Sequence, residues 1–258
     1  MSSTGSPIKG YLLIFALPTH PSFTTSHSAF NTWYNQIHIP DILSIGASSG
    51  FVSATRFHRA GFNPSSPSLS STASEVTYPK DTKWQYLAMY PLEDVEKGMG
   101  EESGLYKVDL EHEMLPAKGN AMEVARWEMG FWEVVGEMAA KGKEGSSQNH
   151  ELTTTITDTP QQTDTLLIPL DSSDLPGSDI PGAHPSAILD YSRKGWTGPN
   201  PVRSTLLKFI GPVPGGDGTG IKTYLAVHEV PSHTVTTVNP ELQTVRYKVL
   251  EKFGEASA

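Results

Sequence analysis

Apolar and polar positions follow two rhythms along this chain. Tyr11-Leu-Leu-Ile-Phe-Ala-Leu is a continuous apolar run bounded by Gly10 and Pro18, the pattern of a strand covered on both faces. Between His27 and Ile37 the period lengthens. Phe30, Trp33 and Ile37 fall at i, i+3 and i+7, one face of a helix, with Thr25 or Ser26 placed to cap it. The runs from Phe51 to Arg59 and from Trp84 to Leu92 return to strand-like composition. A helix over Asp94 to about Gly98, helical structure in part of 107–123, and a strand over Phe131–Met138 complete the first half. The predicted order is β-α-β-β-α-β.

The second half repeats this order in worn form. Thr165-Leu-Leu-Ile-Pro-Leu serves as its first strand, and Ala187–Trp196 as a short helix. Val202–Phe209, Thr223–Val230 and Arg246–Gly254 parallel Val52–Arg59, Gln85–Leu92 and Gly130–Glu137. Both third strands carry Tyr-Leu-Ala. The expected architecture is α+β: two tandem ferredoxin-like (βαββαβ) units packed sheet to sheet. Residues 1–141 form the first domain, 142–163 a Gly/Ser/Thr-rich linker, and 164–258 a degenerate second domain. Asn63–Ser74, Asp171–Gly182 and Pro212–Gly220 read as irregular loops rich in Ser, Pro and Gly.

Composition narrows the function. The 258 residues carry 19 basic and 28 acidic side chains, a net charge of −9, without a Lys/Arg block. That argues against nucleic acid as a partner, because phosphate neutralisation dominates such binding. No apolar run approaches the roughly 20 residues that span a bilayer, and the start lacks a basic, signal-like segment. No cysteine is present, so disulfides, thiolate metal sites and cysteine nucleophiles are excluded. The expectation is a cytoplasmic protein with no membrane partner.

Phe30-Asn-Thr-Trp-Tyr-Asn-Gln-Ile-His-Ile-Pro-Asp-Ile-Leu, then Gly50-Phe-Val-Ser-Ala-Thr-Arg-Phe, carry a Trp-Tyr pair, a His-x-Pro at a helix end, and Gly-Phe with an Arg on a strand. In these segments the chain resembles the dimeric α/β-barrel superfamily, closest to the EthD-like proteins of filamentous fungi. Tyr86-Leu-Ala-Met-Tyr and Phe131-Trp-Glu-Val-Val resemble strands of the same family. The likeness covers the first half well and the second thinly. It implies an intramolecular dimeric α/β barrel, with the second copy as a built-in partner, hence a monomer (a pseudo-dimer) or a weak homodimer. It also implies that His38 sits at the mouth of a cleft between sheet and helix and acts on substrate. The superfamily hosts isomerases, polyketide cyclases, cofactor-free monooxygenases, haem enzymes and proteins without known activity, so fold alone does not choose among them.

His38 is the first catalytic candidate, because imidazole titrates near neutrality, with Pro40 expected to break the helix just after it. The alternative is a His that orders the helix end. Tyr34 precedes it by one turn and either orients a substrate oxygen or packs over the sheet. Asp41 either fixes the His38 tautomer or serves the dipole of a helix starting after Pro40. Arg56 and His58 share a strand face, as do Tyr86 and Tyr90. They line a pocket if that face turns into the barrel, and are solvated if it turns out. His228 replaces Tyr90 in the second half. Trp33, Trp84, Phe131 and Trp132 either rim an aromatic cleft or are core.

No metal or cofactor is expected. His-x-x-x-His and His-Glu-x-x-His spacings are absent, Glu111-His112-Glu113 reads as a solvated cluster, and Gly216-Asp-Gly-Thr-Gly lies between two strands, as a hairpin turn does. The leading expectation is a cofactor-independent isomerase, cyclase or lyase. His38 would move a proton on an aromatic or polyketide-derived carbonyl compound, the small-molecule partner, in secondary metabolism. The rivals are a non-catalytic binding or structural protein and a cofactor-free anthrone-type monooxygenase.

Overall fold

The structure is a computed structural model. It describes residues 6–23, 27–45, 50–60, 84–116, 119–139, 163–171, 184–194, 196, 200–213, 221–232, 242 and 244–254. Eight strands form within them: β1 (Gly10–Pro18), β2 (Ala54–Arg59), β3 (Tyr86–Leu92), β4 (Ala125–Ala139), β5 (Thr163–Leu170), β6 (Arg203–Pro212), β7 (Tyr224–Pro231) and β8 (Val245–Phe253). Five short helices accompany them: α1 (Ser28–Trp33), α2 (Ile39–Ser44), α3 (Val95–Met99), α4 (Ala121–Val124) and α5 (Pro185–Ser192). A π-helical turn, Tyr34–His38, joins α1 to α2.

The strands close into one barrel in the order β1-β3-β2-β8-β5-β7-β6-β4, every pair antiparallel. This corrects the expected two tandem ferredoxin-like units and, with them, the dimeric α/β-barrel description. The halves do not stack face to face. Their sheets meet edge to edge, through β2–β8 and β4–β6, and closure leaves no unpaired edge among the eight described strands. What survives of the repeat is strand order, β4-β1-β3-β2 against β8-β5-β7-β6. The second helical region of the first half forms where expected, but only as short pieces: α3 covers the predicted 94–98 segment and α4 the end of 107–123. Gly98, Gly100, Gly104, Pro116 and Gly119 interrupt 94–123, and only α3, α4 and single 3-10 turns form there. Asp94 caps α3 by accepting from the Glu96 N–H at 3.1 Å. Residues 142–162 of the expected linker lie outside the described residues, and Thr163 already opens β5. The Asn63–Ser74 loop lies outside them too, as do residues 172–182 and 214–220 of the other two.

Alternation along the strands separates three cores. Leu13, Phe15, Phe57, Leu87, Met89, Trp132, Leu167, Leu207, Leu225, Val227, Val245 and Tyr247 come from all eight strands and fill the interior. The barrel interior is therefore a core of aliphatic and aromatic side chains. A second cluster lies between the outer face of β1–β4 and the α1–α2 rod, and a third between β5–β7 and α5. Gly10 is needed where β1 passes β4 and α3, because a methyl there would overlap the Trp132 carbonyl oxygen and Val95 Cγ2. Gly10→Ala is expected to cost about 1–3 kcal/mol by overpacking, read as a lower urea midpoint with unchanged slope.

Candidate functional site

The α1–π–α2 rod explains the site's geometry. Proline lacks an N–H, and in an α-helix its ring collides with the carbonyl four residues back, here that of Gln36. The chain answers with a π turn, in which the Ile39 N–H bonds the Tyr34 carbonyl five residues earlier, and continues into α2 with Pro40 in its first turn. The helix thus widens at Pro40 where a break was expected. The wider turn brings residues five apart onto one face. Trp33 and His38 consequently stack, with ring centroids 4.8 Å apart and planes at 19°. Thr25 and Ser26 lie outside the described residues; His27 stands at the N-cap of α1 without a side-chain cap bond.

Beneath the rod lies Arg56, fully buried on the outer face of β2. Its guanidinium donates to Asn35 Oδ1 and, at 2.8 Å, to Asn31 Oδ1. Its Cζ lies 4.2 Å from the centre of the Tyr34 ring, 4.8 Å from Tyr86 and 5.4 Å from Phe30. Asn31 and Asn35 are four apart on the rod, so both amides face the strand. Each also uses its NH2 group: Asn31 Nδ2 donates to the Tyr86 hydroxyl at 3.0 Å, and Asn35 Nδ2 to Glu251 Oε2. His27 Nδ1 is 3.0 Å from the same Tyr86 oxygen. Burial, then the Arg56 charge, lowers His27 from 6.5 to about 4. The neutral ring and the Tyr86 hydroxyl are joined through this contact, with the proton on either side according to the His27 tautomer.

Three polar atoms above Arg56 have no partner. Tyr34 Oη, Tyr90 Oη and His38 Nδ1 are all buried without a hydrogen bond, an arrangement that calls for water or a ligand. The two phenol groups lie close enough for a weak hydrogen-bonding interaction with each other, which raises Tyr90 and lowers Tyr34, though neither oxygen has a partner at full hydrogen-bond geometry. The Tyr34 and His38 rings lie edge to face at 5.1 Å. Burial lowers His38 from 6.5 to about 4, helped by the Arg56 charge, so its ring is neutral at pH 7. Burial raises Tyr34 to about 12 and Tyr90 well above 10, so both remain protonated donors. Burial lowers Arg56 only to about 10, and it stays charged.

Of the residues singled out in the sequence, Trp33, Tyr34, His38, Arg56, Tyr86 and Tyr90 come together here. Asp41 is exposed in the first turn of α2 and leaves His38 Nδ1 unpartnered, so the dipole role fits it and the tautomer role does not. His58 lies two residues beyond Arg56 on the same face, half-buried, with Nδ1 3.2 Å from the Arg59 carbonyl. Trp84 packs against the interior cluster, with its ring 6.4 Å from Phe15, and Trp132 lies inside it against Phe209 at 5.3 Å. Both are separated from Trp33 and Phe131 by the barrel wall. His27, Asn31 and Asn35 were not singled out. The i, i+4 asparagine pair on a predicted helix was the available signal.

Among the described residues, the second half carries no equivalent set. His228 is fully buried, but Ser192 Oγ lies 3.0 Å from its Nε2 and Ser204 Oγ 2.8 Å from its Nδ1. Leu206 stands opposite Ala226 on β7, as Arg56 stands opposite Ala88 on β3. The outer face there is apolar with one satisfied histidine.

Among the described residues, no cluster of three or more His, Asp or Glu could hold a metal, and no helix is long and apolar enough to cross a membrane. No known family model matches the chain, and no curated protein matches it in sequence.

Proposed function

We propose that this chain is a cofactor-independent isomerase, cyclase or lyase of secondary metabolism, in which His38 moves a proton on an aromatic or polyketide-derived carbonyl compound. The observation behind this reading is the His38 imidazole: buried against the Trp33 ring, with Nδ1 buried and without a hydrogen-bond partner, and with its pKa lowered by burial and the Arg56 charge. In the tautomer protonated on Nε2, Nδ1 offers a lone pair. A proton passes from the carbon next to the carbonyl to Nδ1. The C–H electron pair becomes the enolate double bond, and the carbonyl π pair moves to oxygen. Return of the proton to another atom isomerises the substrate; departure of a β-substituent eliminates it. An imidazole at about 4 is a weak base, but the enolate and imidazolium form together in a site of low dielectric, where their attraction offsets that weakness; the Arg56 charge, which disfavours the imidazolium, stabilises the enolate oxygen.

The likeness to EthD-like proteins in the Trp33-Tyr34, His38-Ile39-Pro40 and Gly50-Phe51 segments is part of this proposal. So are action as a monomer, which a barrel closed within one chain supports, and a cytoplasmic location, which cell fractionation checks. The test is turnover of aryl β-diketones, polyketide lactones and anthrones, with dioxygen followed in parallel. His38→Ala is expected to lower kcat by about 10²–10⁴ with unchanged fold. Activity that survives His38→Ala rejects the role of His38. Binding without turnover favours a carrier, and dioxygen consumption favours a monooxygenase.

A further inference from the structure

The unpartnered tyrosines say what form of ligand the site takes. We infer that the Tyr34 and Tyr90 hydroxyls, above the buried Arg56 guanidinium, form a receptor for one ionised oxygen, so that the site binds an enolisable or phenolic ligand as its enolate or phenolate. This rests on reading the buried polar cluster under the π turn as the reaction site, and it adds a binding preference which that reading does not require.

The argument is one of donors and charge. Both hydroxyls are buried, unpartnered, and neutral donors across the working pH range. A neutral carbonyl or a water would satisfy them, but neither would use the cation below. Arg56 is fully buried, and the groups hydrogen-bonded to it are two neutral amides. The carboxylate that adds to its charge balance is Glu251, exposed on β8 and held through Asn35. A cation against the face of the Tyr34 ring, 4.2 Å from its centre, also draws density from that ring and strengthens its hydroxyl as a donor. Tyr86, His27 and His38, the other titratable groups acting on Arg56 among the described residues, are neutral and place no competing negative charge there. Hydrogen bonds to an ionised oxygen are about twice as strong as those to a neutral one, so the arrangement discriminates by charge. The outer face of the second half, with Leu206 and a satisfied His228, lacks all three elements.

The probe is 4-nitrophenol, whose phenolate absorbs in the visible. Added to a solution of the full chain near the probe's own pKa, it is expected to bind as phenolate, with growth of the visible band. Tyr34→Phe/Tyr90→Phe is expected to weaken that binding by about 30-fold or more, since each lost hydroxyl is a hydrogen bond to charge. The double variant is also expected to melt close to wild type, because neither hydroxyl has a partner at full hydrogen-bond geometry and the pair's weak mutual interaction is removed together; this separates lost binding from lost fold. An unchanged or shrinking visible band with wild type overturns the inference, as it would if the hydroxyls held only water. Equal phenolate affinity in the double variant overturns it too. His38→Ala is expected to keep phenolate binding while losing turnover. Phenolate binding without turnover by wild type therefore defeats the proton-transfer reading alone, and turnover without phenolate binding defeats this inference alone.

Discussion

Acidification is expected to unfold this protein steeply, with unfolding free energy falling by about 4 kcal/mol per pH unit midway between pH 6.5 and about 4. His27, His38 and His228 have folded pKa values near 4, against an ordinary 6.5, chiefly because burial disfavours the imidazolium. As pH falls, the unfolded chain takes up these three protons before the folded one can. The stabilisation is complete above 6.5 and is lost toward 4, each histidine contributing about 1.4 kcal/mol per pH unit. Arg56 faces His27 and His38, and Arg193 acts on His228, so neighbouring cations reinforce the effect. Glu128, whose carboxyl burial raises, works in the opposite sense and trims the slope. Against a typical total of about 5–15 kcal/mol, the fold should fail before the histidines titrate in place. Urea unfolding at several pH values measures the slope. His228→Gln should flatten it by about a third, and a slope near zero would show that the histidines are not held neutral by the fold.

Exchanging Arg56 for methionine is expected to separate function from stability. A buried ion in a matched pair usually costs about 3–5 kcal/mol to break. Arg56 differs because both groups it hydrogen-bonds are neutral amides, and Asn31 and Asn35 are each half-exposed, so water can take over their freed oxygens. Methionine fills similar space between the Phe30, Tyr34 and Tyr86 rings without a desolvated charge. Stability should hold or rise by about 1–2 kcal/mol, while turnover falls by about 10² or more as charge stabilisation at the reacting oxygen is lost. A loss of about 3–5 kcal/mol with turnover intact would instead make Arg56 a structural ion.

The strands were legible because their signals are local. β1 is an apolar run between Gly10 and Pro18, and the Tyr-Leu-Ala cores of β3 and β7 mark themselves. Barrel closure was not legible: β2 pairs with β8 almost two hundred residues away, and no periodicity records which edge meets which. Nor did alternation orient β2, where Val52, Ala54, Arg56 and His58 share a face that is neither apolar nor polar. Asn31 and Asn35 decide it, by giving the guanidinium acceptors above the outer face. His38 was legible as chemistry but not in placement. Pro40 reads as a helix break, whereas the chain absorbs it as a π turn that swings the imidazole under Trp33. The aromatic cleft failed at Trp84 and Trp132 because alternation, not residue type, assigns them to the barrel interior.

The most direct test of the central claim is solvent-deuterium exchange into the acidic carbon of an aryl β-diketone such as benzoylacetone, followed by NMR. It requires proton abstraction and no knowledge of the natural product. The account predicts exchange above the buffer rate with the wild-type chain, and a return to that rate with His38→Ala at unchanged fold. Exchange no faster than buffer across a series of such diketones, or equally fast with His38→Ala, would contradict it.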